Sequence, residues 1–125
     1  MTEILALSTL RHTWILDLDG TIVKHNGYKS DGYDTLNEEA LAFQQAIPSN
    51  DMIIIVTARE IDYQQKTEHF LKMQGIRYNH IIFGVPDGER ILVNDIKPLG
   101  LQTAIAVNVD RNNLSEFFFT IDNNI

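Results

Sequence analysis

The sequence predicts an α/β fold: one three-layer, Rossmann-like domain with a central, mostly parallel five-stranded sheet, helices on both faces and no cap domain. Short apolar runs recur along the chain, amphipathic stretches separate them, and 125 residues suit one domain spanning residues 1–125. Continuous apolar runs are typical of strands buried on both faces, and strand–helix–strand order makes neighbouring strands parallel through right-handed crossovers.

Five apolar runs are the predicted strands: Trp14–Leu18, Met52–Val56, His80–Phe83, Ile91–Val93 and a weaker Ala104–Val109. The segment Met1–Leu10 lacks a basic leader and a small-residue cleavage site, so we expect it to belong to the mature protein.

Three helices are predicted from spacing and caps. Thr35 and Glu38 form a capping-box pattern for a helix that ends before Pro48. The second helix has Gly75 at its C-terminal cap, and one of its faces is marked by Tyr63, Thr67, Phe70, Leu71 and Gln74. A short terminal helix is expected from the spacing of Leu114, Phe117, Phe118 and Ile121.

Composition narrows the partners and the chemistry. A net charge of −7 argues against sequence-independent binding of nucleic acid, because such binding needs clustered Lys and Arg. The absence of cysteine excludes disulfides, thiolate metal sites and cysteine nucleophiles. No run approaches the roughly 20 continuous apolar residues of a membrane helix, so we expect no membrane partner and a cytoplasmic location.

The strongest local signal is the first predicted strand, which delivers Asp17 and Asp19 into a turn at Gly20. A plain solvated turn is one alternative. A calcium loop is another, but it expects a glutamate at its twelfth position, where this chain has Tyr28, and it expects flanking helices.

Two other predicted strands also end in polar residues: Thr57-Ala58-Arg59 and Asn94-Asp95. Thr57 alone would be read as a helix cap as readily as a site residue. Because parallel strands end at one rim of a sheet, all three polar groups are expected together. That coincidence indicates a site.

These runs, Asp-Leu-Asp-Gly-Thr, Thr-Ala-Arg and Asn-Asp, resemble the first, second and fourth motifs of the haloacid dehalogenase superfamily, from about Trp14 to Val109. The resemblance implies a Mg²⁺-dependent phosphatase. The second aspartate of the first motif favours phosphoryl transfer over dehalogenation.

The resemblance implies a role for each residue. Asp17 would attack phosphorus, and Asp19 would act as general acid and then base. Mg²⁺ would be bound by the carboxylates of Asp17 and Asp95 and by the backbone carbonyl of Asp19. These groups supply oxygen ligands of the kind that this ion requires. Thr57 would hydrogen-bond the phosphoryl group.

Other residues are expected to contact the substrate. Backbone N–H groups near Leu18 and Ala58 would assist Thr57, and Arg59 would either grip substrate or pair with Glu60 or Asp62. His25 lies in the irregular segment Val23–Asp34 and could contact the leaving group.

The lysine that the family pattern requires is not in its usual setting, because this chain has Gly84-Val85-Pro86 where short relatives have Gly-Lys-Pro. Lys97 is the first candidate, and a plain surface lysine is its alternative. Lys66 and Arg90 are the other candidates.

The intervals between the motifs leave no room for a cap domain, which implies an open site. Capless relatives take bulky substrates or close the site by oligomer contacts, so a homo-oligomer is one expected arrangement. The chain most resembles small bacterial proteins of capsule and surface-polysaccharide synthesis, which suggests a sugar phosphate or similar metabolite.

Two other functions stay open. A noncatalytic phosphate- or metal-binding module, such as a subunit of a biosynthetic complex, would explain the missing lysine. A signalling receiver domain also places aspartates, Thr and Lys on a parallel sheet, but its phosphoacceptor follows a central strand rather than the first.

Overall fold

The computed structural model describes residues 3–115 and 117–125 and has an α/β fold with two small parallel sheets. The strands are β1 (Glu3–Leu7), β2 (Thr13–Asp17), β3 (Met52–Val56), β4 (His80–Ile82) and β5 (Phe117–Ile121). The helices are α1 (Gly27–Ser30), α2 (Ala40–Ala46) and α3 (Gln64–Met73), and a 3₁₀ turn at Ile61–Tyr63 precedes α3. None of the described helices is long and apolar enough to cross a membrane.

The larger sheet confirms the first three predicted strands within a residue or two, in the order β2-β3-β4 with all pairs parallel. Asp17 of β2 is in register with Val56 of β3, which is in register with Ile82 of β4. The three strands therefore end at the same level. Asp17 and Thr57 consequently share one rim of this sheet, as predicted.

The core lies beneath this sheet and explains why the strands form where they do. Its fully buried side chains include Leu18, Ile53, Ile55 and Leu71. The β-branched residues of β3 fit a pleated buried surface, and Leu71 brings one face of α3 against them. Helix α3 ends as predicted, because Gly75 adopts a φ of +76° that favours glycine.

The first predicted helix is correct in position but wrong at its start. Leu36 pairs with Val23 in an antiparallel bridge, so the chain is extended where the capping box was expected. Glu39 then takes a φ of 70°, and α2 begins at Ala40 without a side-chain cap. The β-bridge between Leu36 and Val23 therefore takes the place of the predicted capping box.

The predicted terminal helix is wrong, since Phe117–Ile121 forms β5 and pairs in parallel with β1. Phe117 and Phe119 turn inward, where they contact Phe43, and Phe119 also lies 4.8 Å from Trp14 between ring centroids. Phe118 between them is 53% exposed. This alternation has the period of a strand, and aromatic residues favour strands.

The other two predicted strands, Ile91–Val93 and Ala104–Val109, are irregular in the structure. Ile91 is 84% exposed and Val93 is 89% exposed, so this apolar run is not buried by a sheet. The strands are thus divided between a sheet of three and a sheet of two instead of forming one of five. Because Ile91 and Val93 bury little surface, packing does not hold this segment as a strand, and the second sheet is formed by β1 and β5 instead.

Candidate functional site

Asp17 ends β2 and faces the rim with 39% of its side chain accessible. The turn after it is closed by the carbonyl of Leu18, which accepts hydrogen bonds from the backbone N–H groups of Thr21, Ile22 and Val23. The Thr21 hydroxyl donates to Asp17 Oδ2 at 3.2 Å. This turn holds the Asp17 carboxylate at the surface, where a ligand could reach it.

Arg90 supplies the positive charge beside Asp17. Its Nη1 donates to Asp17 Oδ1 at 2.7 Å, and both side chains are partly exposed. The structure thus brings the third of the basic candidates to the first aspartate. Lys97 lies in the exposed irregular segment, where its backbone N–H bonds to Leu101, and Lys66 is exposed on α3.

Arg59 is a buried cation at the same rim. Its Nε and Nη2 donate to the two oxygens of Asp19 at 3.0 and 2.8 Å, and its Nη1 and Nη2 donate to Asp34 at 3.0 and 2.7 Å. Nη1 also donates to the Thr67 hydroxyl at 2.9 Å. All five N–H donors of the guanidinium are therefore used inside the protein.

The charges around Arg59 fix its protonation. Burial alone would lower the pKa of the Arg59 guanidinium, but the hydrogen bonds and charges of Asp34 and Asp19 outweigh burial and raise it. The Tyr28 ring lies 3.9 Å from the guanidinium carbon, in cation–π geometry. Arg59 is thus a permanent cation held between two carboxylates and one aromatic face.

Thr57 is buried between these groups. Its hydroxyl oxygen accepts the backbone N–H of Arg59 at 3.1 Å and lies 3.5 Å from Asp19 Oδ2. Thr57 therefore closes a local turn at the rim and does not cap a helix, since the next helical turn begins at Ile61 with Glu60 at its N-cap. Ala58, in contrast, is exposed at the same rim.

Residues 24–35, which we call the strap, leave the rim and return to it. Their ends are joined by the hydrogen bond from Lys24 N to Thr35 O at 2.9 Å, next to the Val23–Leu36 bridge. The strap is a compact loop whose ends are close, like an Ω-loop. It carries Tyr28 and Asp34, both of which contact Arg59.

His25 is held beside the glycine turn rather than free in solution. Its backbone N–H donates to Asn112 Oδ1 at 2.8 Å, and Asn112 N donates to Gly20 O at 2.7 Å. A side chain at Gly20 would meet the His25 ring and Arg111. The expected position of His25 near the first motif is thus seen in the structure.

The proposed magnesium ligands do not come together. Asp95 lies in the exposed irregular segment, where Asn94 bonds Thr103 and Thr103 bonds the Asp95 carbonyl. Among residues 3–115 and 117–125, no group of three or more His, Asp or Glu side chains is placed to hold a metal ion. The carboxylates of Asp17 and Asp19 are paired with arginines. The donor types of Asp17, Asp19 and Asp95 are those that Mg²⁺ binds, but this arrangement leaves the two rim carboxylates bound to arginines.

Sequence reasoning missed Asp34, Thr67 and Asn112. Asp34 is only one of several polar residues of the strap, and Thr67 was assigned to one face of a helix. A buried arginine requires carboxylate partners, but Glu60, Asp62 and other acidic residues lie nearer to Arg59 along the chain than Asp34 does, so the sequence carried no signal for this pair.

Comparisons with protein family models, with curated proteins and with solved structures found no match to this chain.

Proposed function

We propose that the chain is a phosphomonoester hydrolase of the haloacid dehalogenase type, acting through an aspartyl-phosphate on Asp17. The observation that carries the proposal is the shared rim: Asp17 is the last residue of one strand, Thr57 follows the neighbouring strand, and Asp19 lies 3.5 Å from Thr57. The contact between Arg90 and Asp17 supports a basic residue beside the nucleophile.

The proposed reaction has two steps. An Asp17 oxygen forms a bond to phosphorus while the bond to the ester oxygen breaks, and Asp19 gives its proton to that oxygen so that an alcohol leaves. Water then attacks the phosphoryl group, Asp19 takes a proton from it, and the bond to Asp17 breaks to release phosphate. The exposed side of Asp17 supports access for the substrate.

Arg90 and Thr57 have binding roles in this scheme. The guanidinium of Arg90 reaches Asp17 from the exposed side, where it can also pair with phosphate oxygens in the fork geometry that arginine provides. The Thr57 hydroxyl can donate to a phosphoryl oxygen, since its position at the rim is fixed by the Arg59 N–H.

Magnesium dependence is part of the proposal and depends on the donor types of Asp17, Asp19 and Asp95, because carboxylate and carbonyl oxygens are the ligands this ion prefers. Neither reaction step is assigned to the ion.

A single five-stranded, Rossmann-like sheet without a cap domain is also part of the proposal. It would require Ile91–Val93 and Ala104–Val109 to pair as strands.

The proposed substrate is a small phosphorylated metabolite, such as a sugar phosphate of surface-polysaccharide synthesis, and the proposed setting is the cytoplasm, with a homo-oligomer able to close the open site. This class follows from the resemblance to capless relatives, and the partly exposed Asp17 side chain leaves the rim open to a substrate.

A noncatalytic module is the second candidate, and a specific observation favours it. Both aspartates of the first motif are ion-paired with arginines, and Asp95 is not gathered with them. A chain that used the rim only to bind a phosphate group would not require Asp17 to be free for attack.

The test is phosphate release from a panel of sugar phosphates, amino-alcohol phosphates, nucleotides and phosphopeptides, each with Mg²⁺ or EDTA. We expect Mg²⁺-dependent release by the wild type and none by Asp17→Asn, with slow turnover or a trapped phosphoenzyme for Asp19→Asn. Asp62→Asn, an exposed carboxylate in the turn before α3, is the control and should match the wild type. Release that persists in Asp17→Asn would exclude the proposed nucleophile.

A further inference from the structure

The buried Arg59 and the partly buried Asp19 and Asp34 form an ion triad that joins the rim to the strap. We infer that Arg59 is a positioning residue, latched to the strap by Asp34 and Tyr28, that fixes the Asp19 carboxylate for proton transfer. The inference rests on the proposed function for the role of Asp19, but the latch itself can be tested without turnover.

The geometry argues against a substrate-gripping role for Arg59. Its side chain is 2% exposed, and its five N–H donors are divided among Asp19, Asp34 and Thr67. A phosphate group could bind the guanidinium only by displacing one of these partners. An arginine that is fully satisfied and buried serves to orient the groups it contacts.

Asp19 receives a defined orientation from this contact. Nε donates to Oδ2 and Nη2 donates to Oδ1, so the planar guanidinium and the carboxylate are joined in a two-point fork. Oδ2 also accepts from the Thr57 hydroxyl at 3.5 Å, so the second lone pair of Oδ1 is the position left for the proton that a general acid must carry. A proton donor that is already held in the reactive orientation loses less conformational entropy when the transition state forms.

Arg59 in turn is oriented by the strap. Asp34 accepts from both Nη1 and Nη2, and the Tyr28 ring covers the guanidinium face. Tyr28 also packs edge-on against Tyr63, with ring centroids 4.9 Å apart, which ties the strap to the turn before α3. Closure of the strap and orientation of Asp19 are therefore coupled through one side chain.

Opening of the strap would leave the cation with one carboxylate and one hydroxyl. Arg59 would then be free to rotate its guanidinium away from the two-point contact with Asp19. This predicts that a substitution in the strap, distant from Asp17 along the sequence, lowers the rate of the chemical step rather than substrate affinity.

Asp34→Asn tests the latch, and Asp31→Asn is the matched control, since Asp31 is a strap carboxylate that pairs with Lys24 at the surface. The first readout is the rate of trypsin cleavage after Lys29, an exposed strap residue. We expect Asp34→Asn to be cleaved about tenfold faster or more, because two charge-assisted hydrogen bonds weaken. Asp31→Asn should be cleaved no more than about twofold faster, as expected for an exposed pair.

The second readout is turnover on whichever compound the wild type hydrolyses. We expect Asp34→Asn to lower kcat about tenfold with KM within about twofold of the wild type, Asp34→Glu to recover part of the loss, and Asp31→Asn to change neither. A raised KM at unchanged kcat would mean that the latch acts on substrate binding and would overturn the inference. Faster cleavage at wild-type kcat would overturn it too.

A wild type without turnover would reject the proposed function, and the latch would then be judged by two other measurements. These are the trypsin rate and the hydrogen exchange of the Arg59 Nε–H, which donates to Asp19. Faster cleavage with faster exchange in Asp34→Asn supports the coupling. If either rate equals that of the wild type, strap and Asp19 are uncoupled and the inference is wrong.

Discussion

Arg90 Nη1 lies 2.7 Å from Asp17 Oδ1, although 73 residues separate the two in sequence. The contact is between partly exposed groups, so its contribution to the stability of the fold is small. Its importance is local: it places a permanent positive charge next to the carboxylate that we propose as the nucleophile. A phosphate dianion approaching Asp17 would meet this charge first.

Arg90→Ala is expected to lower kcat/KM by about a hundredfold or more, since a phosphoryl group would lose a charged partner of the kind that stabilises its transition state. Arg90→Lys should recover only part of the loss, because lysine cannot make the two-point contact. Steady-state kinetics on the best compound of the panel measures both.

Lys97→Ala separates Arg90 from the first candidate of the sequence analysis. Its kcat/KM is expected to stay within about twofold of the wild type, as for other surface substitutions. A large loss in Lys97→Ala together with wild-type behaviour of Arg90→Ala would reverse the assignment of the basic residue.

Asp51 is expected to make stability depend on pH. Burial would raise the pKa of the Asp51 carboxyl, but hydrogen bonds from His12 N–H and Trp14, together with the His12 ring, outweigh burial and lower it below its usual 3.8. A lowered pKa in the folded state means stability that is present above pH 3.8 and is lost as the pH falls through the folded value.

Asp51→Asn should therefore reduce the free energy of unfolding by about 1–3 kcal/mol at neutral pH, and the difference from the wild type should shrink below about pH 4. Urea unfolding at a series of pH values measures it. Asp87→Asn, an exposed residue after β4, should show no such convergence. A difference that is constant with pH would mean that the loss is steric and not electrostatic.

The elements that the sequence predicts correctly depend on local patterns. β3 was predicted at its observed bounds because Met52–Val56 is a continuous apolar run rich in β-branched residues, and its burial follows from composition alone. Ile91–Val93 has the same composition but is exposed, since a strand also requires a free edge and a partner in register, which no local pattern encodes.

The candidate site likewise contains residues that local sequence patterns indicate and residues that depend on contacts between distant segments. Asp17, Asp19 and Thr57 became candidates from the sequence because each lies at or just after the end of a recognisable strand. Asp34 did not, because its partner Arg59 is 25 residues away and the strap that joins them has no periodic pattern. Residues that act through a loop can be found only once the fold has closed that loop.

Gln44 provides a sharp test of the packing between α2 and the segment after α3. Its buried side-chain amide donates to Arg77 O at 2.6 Å and accepts from Arg77 N at 2.7 Å, as a strand partner would. Gln44→Glu replaces the donating N–H₂ by an oxygen that faces the Arg77 carbonyl. The expected cost is about 2–4 kcal/mol, because a buried carboxylate meets an unsatisfied acceptor.

Gln45→Glu is the matched control, as Gln45 is exposed on the same helix, and its effect should stay within about 0.5 kcal/mol. Chemical unfolding of both variants gives the comparison. Equal losses in the two would mean that the added charge acts on α2 as a whole, and that the Gln44–Arg77 pair does not hold this helix.

The C-terminal strand can be distinguished from the helix that the sequence predicts by two neighbouring phenylalanines. In the strand, Phe119 packs against Trp14 and Phe43 while Phe118 is exposed. In a helix with Leu114, Phe117 and Ile121 on its apolar face, Phe118 would be the buried residue. Phe119→Ala should therefore reduce the free energy of unfolding by about 2–3 kcal/mol, and Phe118→Ala by less than about 1 kcal/mol. Urea unfolding measures both losses. A larger loss for Phe118→Ala than for Phe119→Ala would favour the helix and would contradict the pairing of β5 with β1.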